Sequence, residues 1–151
     1  MYYNLNMQKI VITTKSAQET EAFAKQWGNS LVGGEVVLLR GDLGAGKTHF
    51  VKGLAQALGI YDVVTSPTFA LHNVYYGKQL TLNHFDFYRI EDSTEVEMTG
   101  LNEFFGQKGG VCAIEWSENV ADLLPKNCIA VTIKKLSDNE REIAVERVTL
   151  R

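Results

Sequence analysis

Gly41-Asp42-Leu43-Gly44-Ala45-Gly46-Lys47-Thr48 (GDLGAGKT) is the stretch of this 151-residue chain that decides its fold. It matches G-x-x-x-x-G-K-[ST] without a gap. Residues 36–39 just ahead of it are wholly apolar, as expected of a strand buried on both faces. Behind it a helix is predicted from about Lys47 to Leu58, stopped by Gly59. Each residue type has a physical reason. Glycines permit positive φ and close backbone approach, so that successive N–H groups turn inward as an anion nest. The helix that follows aims its positive dipole end at the same point. Lys47 adds a mobile cation for β- and γ-phosphates, and the Thr48 hydroxyl suits Mg²⁺. At average protein usage, with glycine and lysine each at ~7%, four fixed positions arise by chance in fewer than about one such chain in a hundred. A glycine turn that binds nothing is therefore the weaker reading.

Outward from the loop, a short strand is expected near residues 9–13, and Ser16 reads as a helix N-cap with Glu19 completing a capping box. That helix runs to about Gly28, with Ala17, Phe23, Ala24 and Trp27 at helical spacing. Gly33-Gly34 is a turn. Strand-like runs at 70–76 and 79–88, separated by Gly77-Lys78, predict a hairpin, so part of the sheet is antiparallel. A helical stretch over 93–105 leads to a strand over 111–116, and runs at 128–135 and 141–148 flank a polar turn. The order predicts an α/β fold: a P-loop NTPase-like three-layer sandwich with a mixed sheet containing antiparallel strands, all within one domain over residues 1–151.

The hydrophobic (45%) and charged (22%) fractions are those of a globular protein, and the net charge of −3 disfavours direct, tight binding of DNA or RNA. Cys112 and Cys128 lie in apolar runs and read as small buried hydrophobes. No apolar run suits a membrane span, and MYYNLNMQKI lacks the charged and apolar regions of a signal peptide, so a cytoplasmic setting is expected.

A metal beside the phosphates needs an acidic partner on a neighbouring strand. Asp86, with His84 on the same face of its strand, and Glu115, at the end of an apolar run, both qualify, and spacing does not rank them. His49, His72 and His84 read more readily as structural histidines. Trp116 suits core packing, or covers the site from its place after Glu115. Thr65, Ser66 and Thr68, in a loop pinned by Pro67, sit where a nucleotide-sensing switch belongs; the simpler reading is a surface turn. No Asn-Lys-x-Asp guanine-reading motif occurs, which favours ATP over GTP. No arginine-rich lid follows the loop, which counts against a small-molecule kinase. Of the five arginines only Arg89 is near the expected site in sequence, so slow, partner-dependent hydrolysis is expected.

Taken with the loop, Ser66-Pro67-Thr68-Phe69, His84-Phe85-Asp86-Phe87-Tyr88-Arg89 and Ile114-Glu115-Trp116 resemble the TsaE family across roughly residues 16–133. The resemblance implies an ATPase required for N6-threonylcarbamoyladenosine formation in tRNA. It implies action with a TsaB–TsaD heterodimer, contact with tRNA only through that complex, and no membrane or DNA partner. It implies further that Lys47 and the loop backbone bind ATP phosphates and that Thr48 and Glu115 hold Mg²⁺. Asp86 would act at the metal or on the water, Trp116 would abut the site, and Thr65 with its neighbours would respond to nucleotide. His49 departs from the family's usual second small hydroxyl residue, without loss of the Thr48 hydroxyl. Alternatives from other classes are a small-molecule kinase and a nucleotide-sensing module that does not hydrolyse.

Overall fold

The computed structural model describes residues 9–42 and 44–150; Leu43 of the glycine-rich stretch lies outside them. Among the described residues seven strands form one sheet: β1 Lys9–Thr14, β2 Val36–Arg40, β3 His72–Tyr76, β4 Thr81–Asp86, β5 Gly110–Glu115, β6 Asn127–Lys135 and β7 Arg141–Thr149. Three α-helices accompany them: α1 Ala17–Gly28, α2 Lys47–Ala57 and α3 Ser93–Thr99. The strand order is β1-β7-β6-β2-β5-β4-β3. β6, β2, β5 and β4 run parallel; β3 pairs antiparallel with β4 and β7 antiparallel with β6, and β1, antiparallel to β7, returns to the direction of the parallel strands.

β2 lies at the centre, and its run Val36-Val37-Leu38-Leu39 is buried throughout. Alternation sends Val37 and Leu39 towards α1 and α2, and Val36 and Leu38 towards the opposite face. There α3 and the 3₁₀ segments Leu101–Phe104 and Ser117–Leu123 supply the third layer. On the first face Trp27 and Phe23 of α1 meet Phe50 of α2, with ring centroids 6.0 and 6.3 Å apart. Full burial of each such ring contributes about 1.5–3 kcal/mol. The helices approach closely because of Gly53, where a Cβ would stand 2.3 Å from the Glu21 carbonyl oxygen and 2.5 Å from the Ala24 Cβ.

Local signals account for most element ends. Ser16 caps α1, its Oγ accepting from Glu19 N at 3.0 Å, but the Glu19 carboxylate reaches back to Lys15 N rather than to Ser16. The helix expected over 93–105 is broken: Gly100 adopts a left-handed φ of 78° and accommodates the change from α3 to the 3₁₀ segment. The hairpin is also shorter than its apolar runs. Leu71, at φ 65°, turns the chain just ahead of β3, and residues 77–80 rather than two residues make the connection to β4. Both cysteines are buried and free, and burial pushes the Cys112 thiol up to about 12. Among the described residues no helix is long and apolar enough to cross a membrane.

Candidate functional site

The carboxyl ends of β2, β4 and β5 open on one side of the sheet, the place where open α/β sheets bind ligands. β2 runs directly into the glycine-rich loop. At Gly41 a Cβ would come within 2.6 Å of the Ile133 carbonyl oxygen on β6, so the loop leaves the sheet by a path only glycine can take. Gly44 and Gly46 have φ of 79° and 109°, on either side of a buried Ala45. Gly46 caps α2 without any side-chain hydrogen bond, and the first turn carries no acidic residue. Among the described residues no side chain caps the amides opening α2, an arrangement suited to an anion.

Lys47 begins α2, and its Nζ lies 3.6 Å from Glu115 Oε1. Glu115 ends β5, where its other oxygen, Oε2, lies 2.8 Å from Nε2 of the fully buried His84. Asp86 stands directly beside Glu115 in the β4–β5 register. Burial pushes the Glu115 carboxyl up, but the hydrogen bond and field of His84, and then Lys47, outweigh it and hold it below the usual carboxylate range. Asp86 accepts at Oδ1 from Tyr88 N at 3.0 Å. Its Oδ2 receives the Ser66 and Thr68 hydroxyls at 3.4 and 3.3 Å. Of the three expected switch residues, Ser66 and Thr68 thus reach the site. Thr65 is tied away from it, its N donating to Tyr75 Oη and its carbonyl accepting from Asn73 Nδ2.

Together these groups line a cleft of about 990 Å³ that includes Gly41, Asp42, Gly44, Gly46, Lys47, Thr48, Ser66, Thr68, Asp86, Tyr88, Glu115 and Trp116. Trp116 is not core: it has a left-handed φ of 58°, is 40% exposed, lies against Tyr88 at 4.9 Å and faces Lys47 Nζ at 5.9 Å. His49 pairs with Glu21 at 2.6 Å, and His72 meets Asn83 at 2.9 Å and stacks on Phe85. His84 departs from the reading as a satisfied structural histidine. It orients Glu115, and its Nδ1 has no hydrogen-bond partner among the described residues.

Arginine placement differs from the sequence expectation. Arg89 lies over the Phe69 ring at 4.7 Å, whereas Arg141, remote in sequence, lines the cleft and donates to the loop carbonyls of Ala45 and Gly44. The β6–β7 hairpin brings Arg141 there, and no spacing in the sequence announces it.

Fold and site together define an α/β protein of P-loop NTPase-like type. A family profile described as "Threonylcarbamoyl adenosine biosynthesis protein TsaE" matches residues 14–143. The chain belongs to the TsaE family. It is 43% identical over 143 residues to a Bacillus subtilis (strain 168) protein called "tRNA threonylcarbamoyladenosine biosynthesis protein TsaE", covering 94% of this chain and 88% of that one. A Treponema pallidum (strain Nichols) protein of the same name is 46% identical over 133 residues, with 87% and 96% covered. The crystal structure of Bacillus subtilis YdiB superposes with a TM-score of 0.78 at 37% identity, covering 94% of this chain and 86% of that one.

Proposed function

We propose that the chain is an ATPase that supports tRNA threonylcarbamoyladenosine formation, acting with a TsaB–TsaD complex in the cytoplasm. One observation carries the reading: Lys47, Glu115 and Asp86 converge within the cleft that the 41–48 loop lines. The loop amides and Lys47 take the triphosphate, since lysine beside inward-facing N–H groups is a fixed electrostatic complement to β- and γ-phosphates. The acidic groups and the Thr48 hydroxyl suit a small hard cation. Mg²⁺ asks for one or two carboxylates and shares its remaining positions with phosphates and water. Among the described residues no group of three or more His, Cys, Asp or Glu side chains would hold a metal unaided, which fits a cation arriving with the nucleotide. Thr48, Glu115 and Asp86 would hold it, and it would supply charge neutralisation at the transferred phosphoryl group.

The remaining roles belong to the chain. His84 donates to Glu115 and fixes its orientation. Asp86 connects the site to the Ser66 and Thr68 hydroxyls, and in this reading the loop carrying them responds to the γ-phosphate. Trp116 and Tyr88 form a wall that restricts water. Arg141 is already committed to the loop carbonyls, and Arg89 lies over Phe69, so neither arginine is free to add to Lys47 in stabilising charge on the transferred phosphoryl group. Slow turnover alone and acceleration by the protein partners follow. With a net charge of −3, contact with tRNA belongs to the assembled complex.

Phosphate release from ATP, measured with and without TsaB–TsaD for wild type and Lys47→Ala, tests this reading. Turnover is expected for wild type, higher with the partners and absent in the variant. Equal inertness of both proteins in the presence of the partners would remove the ATPase assignment. Release that required an added small-molecule acceptor would favour a kinase instead.

A further inference from the structure

Arg141 opens β7, yet its Nε donates to the Ala45 carbonyl, 96 residues away, at 2.8 Å, and its Nη2 to the Gly44 carbonyl at 3.3 Å. One edge of the guanidinium thus spans two consecutive peptide oxygens of the glycine-rich loop. From the other edge Nη1 donates to the carbonyls of Ser137, Asp138 and Glu140 at 2.8, 3.3 and 3.0 Å. All five acceptors are neutral, and among the described residues no carboxylate pairs with Arg141. A guanidinium held only by carbonyls keeps its full charge, here in the wall of the cleft.

The loop's own geometry explains what this grip does. Left-handed Gly44 and Gly46 flank Ala45, whose φ is negative, and such alternation turns successive N–H groups to one side and their carbonyls to the other. Arg141 binds the carbonyl side. The amide of the Gly44–Ala45 peptide donates back to the Asp42 carbonyl at 3.0 Å, closing the turn, so the grip on the Gly44 oxygen holds that turn. The grip on the Ala45 oxygen restrains the Ala45–Gly46 peptide, whose amide belongs to a residue lining the cleft. The guanidinium charge polarises that peptide so that it donates more strongly. A lysine could not do the same, because a point ammonium lacks the planar fork that reaches two loop oxygens and the 137–140 turn together.

We propose that Arg141 is a positioning residue of the nucleotide site, holding the Asp42–Ala45 turn through the Gly44 carbonyl and the Gly46 amide through the Ala45 carbonyl, and so preorganising the phosphate nest. The proposal rests on the nucleotide-site reading above and goes beyond it, assigning part of the affinity to a side chain that does not touch phosphate.

The test is calorimetric titration of wild type, Arg141→Lys and Arg141→Ala with ADP and with inorganic pyrophosphate, alongside apo melting temperatures and steady-state kinetics. Losing hydrogen bonds from a charged donor predicts ADP binding weakened by about 10- to 100-fold in Arg141→Ala and about 10-fold in Arg141→Lys. Pyrophosphate should weaken in parallel, since the effect lies in the nest. The rise in KM for ATP should exceed the fall in kcat by at least about tenfold, because the reacting end is held by other residues. If Arg141→Ala does not fold, Arg141→Lys, which keeps the charge and most of the volume, decides the matter. Affinities within about twofold of wild type in a folded variant would overturn the proposal, as would a collapse of kcat with affinity intact. Failure of wild type itself to bind ADP would remove the nucleotide-site reading, and the role of Arg141 with it.

Discussion

Asp86 and Glu115 stand abreast on the parallel strands β4 and β5, yet each is held by different partners. Glu115 is fixed by the buried imidazole of His84 on one oxygen and faces Lys47 with the other. Asp86 is bound by the Tyr88 amide and by two hydroxyls from a loop. One carboxylate is thereby fixed beside the lysine, and the other is joined to the loop that carries Ser66 and Thr68. Burial disfavours the charged form of Glu115, but the hydrogen bond and field of His84, and then Lys47, outweigh it.

Glu115→Ala and Glu115→Gln should separate charge from hydrogen bonding. Both are expected to lower turnover at saturating ATP by at least about 100-fold while nucleotide still binds. Only the alanine leaves His84 Nε2 buried without an acceptor, at a cost of about 1–3 kcal/mol. Urea unfolding of the two variants should show that difference, and equal stabilities would mean that His84 finds another partner.

Asp86→Asn should raise the Mg²⁺ concentration needed for half-maximal turnover by about tenfold or more, as should Thr48→Ala. Asparagine has a single acceptor oxygen, so it keeps the Ser66 and Thr68 hydroxyls only by giving up the bond from Tyr88 N, and melting temperatures measured alongside separate that loss from the loss of charge. A Mg²⁺ titration that overlays wild type would exclude Asp86 from the metal site.

Trp116 should report nucleotide by its fluorescence, since its indole lies 5.9 Å from Lys47 Nζ while Trp27 is buried in the core. Titration with ATP and Mg²⁺ is expected to change emission in wild type. In Trp116→Phe the change should vanish while calorimetric binding persists. A signal that survives in Trp116→Phe would place the response at Trp27.

Much of this was readable from local pattern. The apolar run of β2, the glycine spacing of the loop, the Ser16 cap and the Gly59 stop act over a few residues, and each emerges where expected. The break at Gly100 was not legible, because the Glu- and Met-rich composition of 93–105 suits a helix and the left-handed turn at one glycine is set by packing. That Asp86 and Glu115 stand side by side depended on strand register, which no single strand contains. The grip of Arg141 required the order β7-β6-β2 to be known, since 96 residues separate it from Ala45.

The cysteines give a pH dependence with a definite sign. Burial raises the Cys112 thiol to about 12 and the Cys128 thiol in the same direction, so folding favours the protonated form. Their contribution to stability is complete below the unfolded-state thiol pKa of about 8.5 and is lost as pH rises from there towards the folded value. Denaturant unfolding at pH 7.5 and pH 10 should show lower stability at the higher pH, with a smaller loss in Cys112→Ala. A thiol reagent at pH 8 should label native protein far more slowly than unfolded protein. Rapid labelling of Cys112 in folded protein would contradict its burial.

The most direct measurement is isothermal titration of folded protein with ATP and Mg²⁺, comparing wild type with Lys47→Ala, each alone and with TsaB–TsaD present. A saturable heat for wild type, weakened at least about tenfold in the variant at unchanged melting temperature, is the predicted result. No heat from wild type at millimolar nucleotide in either condition would contradict the account.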